Sequence, residues 1–199
     1  MEKLLIEKLA ITNIWELNDD FGDGAKNHHC LKICGIRRYG FMERVDKINY
    51  YLDIAESVAE RGTCLRNNYG SIIVKNDEII STGYTGAPRG RKNCIDLGYC
   101  TRQKCEMPSG KGYEKCRSVH SEQNAIISAA RKDMIGATLY LVGINQRNGE
   151  YVKDNEPCSF CKRMIINAGI KEVVMRDDKS KYRVEQVQNW IEKDDSLEY

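Results

Sequence analysis

The sequence predicts an α/β protein in which helices cover both faces of a sheet. Strand-like and helix-like apolar patterns alternate along the chain from about residue 46 onward. Composition agrees: 41% of the 199 residues are apolar, 30% are charged and only three are proline, which excludes collagen-like or largely disordered chains. The length fits one ordinary domain with an appendage.

Each element has its own signal. Over residues 46–61, Ile48, Tyr51, Leu52, Ala55, Val58 and Ala59 fall on one helical face. Strands are expected over 69–74 and 78–84, joined by the turn-prone Lys75-Asn76-Asp77. Residues 85–117 read as a long loop with four cysteines, and a loop of that length in a compact domain is functional or held by something other than a core. A helix over 119–131, a strand over 137–143, a helix over 157–167, a strand over 172–175 and a helix over 182–193 complete the domain at 46–199. Residues 1–45 are expected to be an extension of short helical pieces: Asn18-Asp19-Asp20-Phe21-Gly22-Asp23-Gly24 is turn-like, and His28, His29, Cys30 and Cys34 cluster loosely.

A formal net charge of +2 makes no broad basic field, which argues against nucleic acid or an anionic membrane as partner and favours small substrates. The N-terminus interleaves Leu4, Leu5 and Ile6 with Glu2, Lys3, Glu7 and Lys8, and no stretch is long and apolar enough to span a bilayer, so a cytoplasmic protein is expected. Thiols stay reduced there, and nine cysteines then suggest metal binding or catalysis before disulfides.

Val119-His120-Ser121-Glu122 and Pro157-Cys158-Ser159-Phe160-Cys161 carry the chemistry. One imidazole and two thiolates make three zinc ligands, His120, Cys158 and Cys161, and leave the fourth tetrahedral position open, as in catalytic sites. Cysteines spaced as C-x-x-C can face one ion from the first turn of a helix, where Pro157 is tolerated and the dipole favours thiolate. His120 and Glu122 would diverge by about 200° within a regular helix, so they are expected at a helix entry, with Ser118 as N-cap. A structural zinc, or a core histidine beside an unrelated C-x-x-C, is the plainer reading of either half alone. Both halves together, with an acid two residues from the histidine, favour catalysis.

The two halves match the H-x-E and P-C-x-x-C pattern of zinc nucleobase deaminases. With Gly83-Tyr84-Thr85-Gly86-Ala87-Pro88-Arg89-Gly90, Asn93-Cys94, Arg117-Ser118 ahead of the histidine, Gln123-Asn124-Ala125-Ile126 after it, Thr63-Cys64-Leu65-Arg66, and Met164 to Lys171, the chain resembles the deoxycytidylate deaminase family from about Met42 to Met175. The resemblance implies a cytidine-deaminase-like three-layer α/β/α fold with a five-stranded mixed sheet, and hydrolysis of dCMP to dUMP. It also implies a homo-oligomer, often a hexamer, answering to dCTP and dTTP. Glu122 would take a proton from the attacking water, pass it to ring N3 and later protonate the departing amine. By position, Thr85 would approach the sugar and the Ser121 backbone N–H would meet the pyrimidine oxygen. The chain departs from the family pattern in three places. Thr85 replaces a common asparagine, Ser121 a usual alanine, and residues 145–155 insert a hairpin around Asn148-Gly149, beside the site or at a subunit contact.

A nucleotide phosphate needs fixed cations, and Arg89 and Arg117, with Arg91 and Lys92, are the candidates. Some relatives hold a second zinc at positions matching Cys64 and Cys94, and Cys100 and Cys116 would complete a four-sulfur site, with Cys105 as the substitute. Alternatively these are reduced thiols packed as small hydrophobes. Two other functions stand beside the leading one: deamination of another cytidine compound or an RNA base, and a non-enzymatic zinc-binding module on the same scaffold.

Overall fold

The computed structural model describes residues 44–108 and 111–193. The expected N-terminal extension, with its histidine and cysteine cluster, lies outside the described residues except for Arg44 and Val45. Helix α1 (Lys47–Ala59) starts where the Asp46 carboxylate accepts the backbone N–H groups of Ile48 at 3.1 Å and Asn49 at 3.0 Å, satisfying donors that no helical carbonyl can reach. Strands β1 (Asn67–Lys75) and β2 (Glu78–Tyr84) follow. Asn76 and Asp77 link them with φ of 51° and 67°, the left-handed turn whose twist suits an antiparallel hairpin.

The expected loop at 85–117 is broken by single helical turns: α2 (Cys94–Leu97), α3 (Thr101–Lys104) and a 3₁₀ turn at Tyr113–Lys115. One turn is too short to leave an apolar period in the sequence. The helix expected over 119–131 is two helices, α4 (Ser121–Ile127) and α5 (Arg131–Met134), and its cap is His120 rather than Ser118. Next come β3 (Thr138–Asn145), α6 (Ser159–Ala168) and β4 (Glu172–Arg176). Pro157 precedes the N-cap of α6 instead of sitting in its first turn. The helix expected over 182–193 is a strand, β5 (Tyr182–Gln186), running into a short helix, α7 (Val187–Lys193). Pairing decides this: β5 runs antiparallel to β4 with Arg176 opposite Tyr182 and Glu172 opposite Gln186, and a partner strand overrides a weak local preference.

The five strands form one mixed sheet in the order β2-β1-β3-β4-β5, with β3 and β4 parallel and the other pairs antiparallel. Alternation sorts its side chains into two cores. Ile72, Val74, Tyr140, Val142 and Val174 pack under α1 with Tyr51, Leu52 and Ala55. Ile73, Leu139, Leu141, Val173 and Met175 face the opposite layer with Ala125 of α4, Cys161 and Ile165 of α6, and Trp190 of α7. The three-layer expectation and the strand number are therefore both met.

Glycine sets the approach of both layers. At Gly70 a Cβ would collide with the Ala55 carbonyl and the Ala59 nitrogen of α1, and at Gly83 with the Ser121 carbonyl and the Ala125 nitrogen of α4. The second contact brings the start of α4, and the motif it carries, down onto the sheet. On the α1 side, the fully buried guanidinium of Arg176 donates at 2.7 Å to both Asp53 Oδ1 and Glu56 Oε2. Pairing of this kind is what makes a buried charge tolerable.

Candidate metal and active site

Two helices present the motif in the same way. His120 is the N-cap of α4 and its carbonyl accepts the first helical hydrogen bond, from Asn124, at 3.0 Å. Cys158 is the N-cap of α6 and its carbonyl accepts from Lys162 at 2.9 Å, which places Cys161 in the third helical position. The extended backbone at a cap turns its side chain out beyond the helix end, so both ends converge. His120 Nδ1 lies 3.5 Å from Cys158 Sγ and 3.4 Å from Cys161 Sγ. Among the described residues this is the one group of three or more histidine, cysteine or acidic residues whose ligand atoms all lie within 4.8 Å of one another. One nitrogen and two sulfurs at that spacing fit the soft, tetrahedral preference of zinc, with one position open.

Protonation fits a cation-binding site as well. The Cys158 thiol is drawn down to about 4 by the hydrogen bond from Cys161, then by His120, against the opposing effect of burial. Cys161, which gives that hydrogen bond and is buried against Glu122, is pushed up. Burial works to lower the His120 imidazole, but the hydrogen bond to Cys158 and the charges of Glu122 and Cys158 outweigh it and lift it. The protons held here are thus stabilised by neighbouring negative charge, which a metal ion would replace.

Glu122 is buried at 5% exposure and lines a cavity of about 270 Å³ with His120, Cys158, Tyr69, Thr85 and Tyr113. Its Oε2 accepts from Ser121 Oγ at 2.9 Å. Tyr113 sets its ring edge-on to His120, the centroids 5.3 Å apart. Burial pushes Tyr69 up to about 12, so its phenol stays neutral in the wall. Thr85 stands in the lining as expected, but its hydroxyl is engaged by the backbone of Tyr69, accepting from N–H at 3.1 Å and donating to the carbonyl at 3.4 Å. Ser121 is the first residue of α4, so its N–H has no carbonyl within the helix to reach.

The expected cations stand elsewhere. Arg89 is exposed and Arg117 donates from Nε to the Lys92 carbonyl at 2.6 Å; neither lines the cavity. Arg66 and Arg102 do. Arg102 is buried at 8% exposure, lies over the Tyr113 ring, donates to the Pro108 and Lys111 carbonyls, and keeps an unpartnered Nε. Sequence reasoning included Arg66 in a motif without giving it a role, and it missed Arg102, whose environment depends on a one-turn helix with no periodic signature.

The inserted segment stands beside the site. Asn145 N–H bonds the Glu150 carbonyl at 2.9 Å, Gly149 takes φ of 71°, and Ile144 bridges to Tyr151. Val152 and Glu156 then join the cavity wall. Cys64, Cys94, Cys100 and Cys116 gather without converging. Cys94 and Cys100 are buried, Cys64 and Cys116 half-buried and Cys105 exposed. Burial pushes Cys94 and Cys116 up, and the charges of Cys64 and Cys100 raise both further. No three of them reach ligand spacing, unlike the His120 group.

Fold and site together define an α/β protein with three side chains placed to hold a metal ion and a buried carboxylate beside them. The model of the cytidine and deoxycytidylate deaminase zinc-binding region matches residues 45–176, and the chain belongs to that family. It is 36% identical to deoxycytidylate deaminase of Mycobacterium phage D29 over 67% of this chain and 96% of that one. It is 34% identical to the Schizosaccharomyces pombe deoxycytidylate deaminase over 63% of this chain but only 35% of that longer protein. A dCMP deaminase from cyanophage S-TIM5, in complex with dCMP and dUMP, aligns at a TM-score of 0.49 and 25% identity over 69% of this chain and 85% of that one.

Proposed function

We propose that this chain hydrolyses dCMP to dUMP and ammonia in pyrimidine deoxynucleotide metabolism. The observation that carries the reading is the convergence of His120, Cys158 and Cys161 at ligand spacing in one cavity with the buried Glu122. His120, Cys158 and Cys161 would hold zinc, which would supply a Lewis acid to acidify the attacking water. Glu122 moves the protons: it accepts one from the attacking water, delivers it to N3 as the oxygen joins C4, and then carries a proton to the 4-amino group. The C4–N bond breaks, leaving a uracil ring and ammonia. The Ser121 N–H offers the pyrimidine oxygen a donor, the backbone around Thr85 faces the sugar, and Arg66 and Arg102 supply the positive wall a phosphate needs.

A second zinc is part of the proposal, held by Cys64, Cys94, Cys100 and Cys116. Its support is chemical: four sulfurs gather in one region where burial penalises the thiolates of Cys94 and Cys116, and a cation would offset that penalty. Cys105, which is exposed, is the proposed substitute. The deaminase domain at 46–199 is proposed to act in the cytoplasm as a homo-oligomer, a hexamer by resemblance, with dCTP and dTTP as effectors. No helix among the described residues is long and apolar enough to cross a membrane.

Ammonia release from dCMP, CMP, dCTP, deoxycytidine and an RNA hairpin tests the reading. Turnover is expected with dCMP and reduced with deoxycytidine, which lacks the phosphate. Turnover of the hairpin alone would overturn it.

A further inference from the structure

Strand β1 and helix α4 meet through two serines that the motif does not require. Ser71 shares its sheet face with Ile73, the face turned toward α4, and its Oγ donates to Ser121 Oγ at 2.7 Å. Ser121 Oγ in turn donates to Glu122 Oε2 at 2.9 Å. Both serines are at 0% exposure, so water does not compete for their hydroxyls. The single proton of Ser121 Oγ goes to Glu122, and its lone pairs are left for Ser71. The direction of the chain is therefore set from its acidic end.

We propose that Ser71 and Ser121 form a two-hydroxyl chain that holds the Glu122 carboxylate in its working orientation, with Ser121 as the positioning residue. Ser121 occupies Oε2 and leaves Oε1 for the proton transfers. The proposal rests on the deaminase reading of Glu122. Its energetic root is the hydrogen bond to a carboxylate, which is stronger than one between neutral groups. Ser71 acts one bond further away, by fixing the Ser121 hydroxyl so that its proton points at Glu122.

The test is a cycle of Ser121→Ala, Ser71→Ala and the double variant, each measured for kcat, KM, zinc content and Tm. Ser121→Ala is expected to lower kcat by about ten- to a hundredfold with KM little changed, the range expected for losing a hydrogen bond to a charged group. It also lowers Tm, because the buried Ser71 hydroxyl loses its acceptor. Ser71→Ala gives a kcat loss of the same kind but smaller. The double variant removes both hydroxyls, so Tm returns toward wild type, while kcat stays as low as in Ser121→Ala. Recovery of kcat together with Tm would mean packing alone, and wild-type kcat in Ser121→Ala would equally overturn the proposal. If the wild type deaminates a different cytosine compound, the dCMP reading falls and the cycle is scored on that compound; a chain that deaminates none of them overturns both.

Discussion

The chain carries the His120 triad and a second group of cysteines proposed as a zinc site, and the two are built differently. His120, Cys158 and Cys161 come from the first residues of two helices packed on the same face of the sheet, and their ligand atoms already lie within 4.8 Å of one another. Cys64, Cys94, Cys100 and Cys116 come from the segment before β1 and from single-turn helices, and they gather without reaching that spacing. The difference teaches that a helix start backed by a core fixes a ligand before any ion arrives. Loop-borne sulfurs, if they hold the proposed second zinc, would need the ion to complete their geometry.

That contrast is open to direct attack. Replacing Cys158 or Cys161 by alanine is expected to remove the zinc of the triad and reduce deamination to background, measured by metal analysis and ammonia release. The Cys64→Ala/Cys94→Ala double variant is expected to keep the triad's zinc, to lose any metal in excess of one ion per chain, and to melt on the order of 10 °C lower, as loss of several kcal/mol would give for a chain of this size. An unchanged metal content there would leave these cysteines as packed thiols. A smaller effect separates the sets in metal-free protein. Cys158, drawn down to about 4, is expected to be thiolate at pH 6 and to alkylate readily, whereas Cys94 and Cys116, pushed up by burial, stay protonated and resist. The sign follows from the shift: the lowered Cys158 contributes stability that is full above the ordinary thiol value of 9.0, shrinks as pH falls below it and is lost through about 4. Mass spectrometry of the alkylated cysteines reads the order.

The sequence carried the first set almost completely because two short motifs on amphipathic helices encode both ligand type and position. Its error was local: His120 and Cys158 serve as caps themselves, which displaced Ser118 and Pro157 from the expected roles. The last helix-like stretch misled for a different reason. Tyr182–Gln186 becomes a strand because β4 offers it an edge, and no single-chain pattern reveals a partner. Arg66 and Arg102 entered the cavity unannounced, since which cation faces a pocket depends on how the 85–117 segment folds back. Ser71 was hidden by its own position, a small polar residue within an otherwise apolar strand whose partner, Ser121, is 50 residues away.

Replacing Glu122 by glutamine tests the central claim most directly, with zinc content and dCMP turnover measured on the same preparation. Zinc binding needs His120, Cys158 and Cys161 but not this acid, so the account predicts unchanged metal at the triad and turnover lower by about 10²–10⁴-fold, the usual worth of a positioned proton shuttle. Turnover at the wild-type rate in the zinc-loaded variant would contradict it.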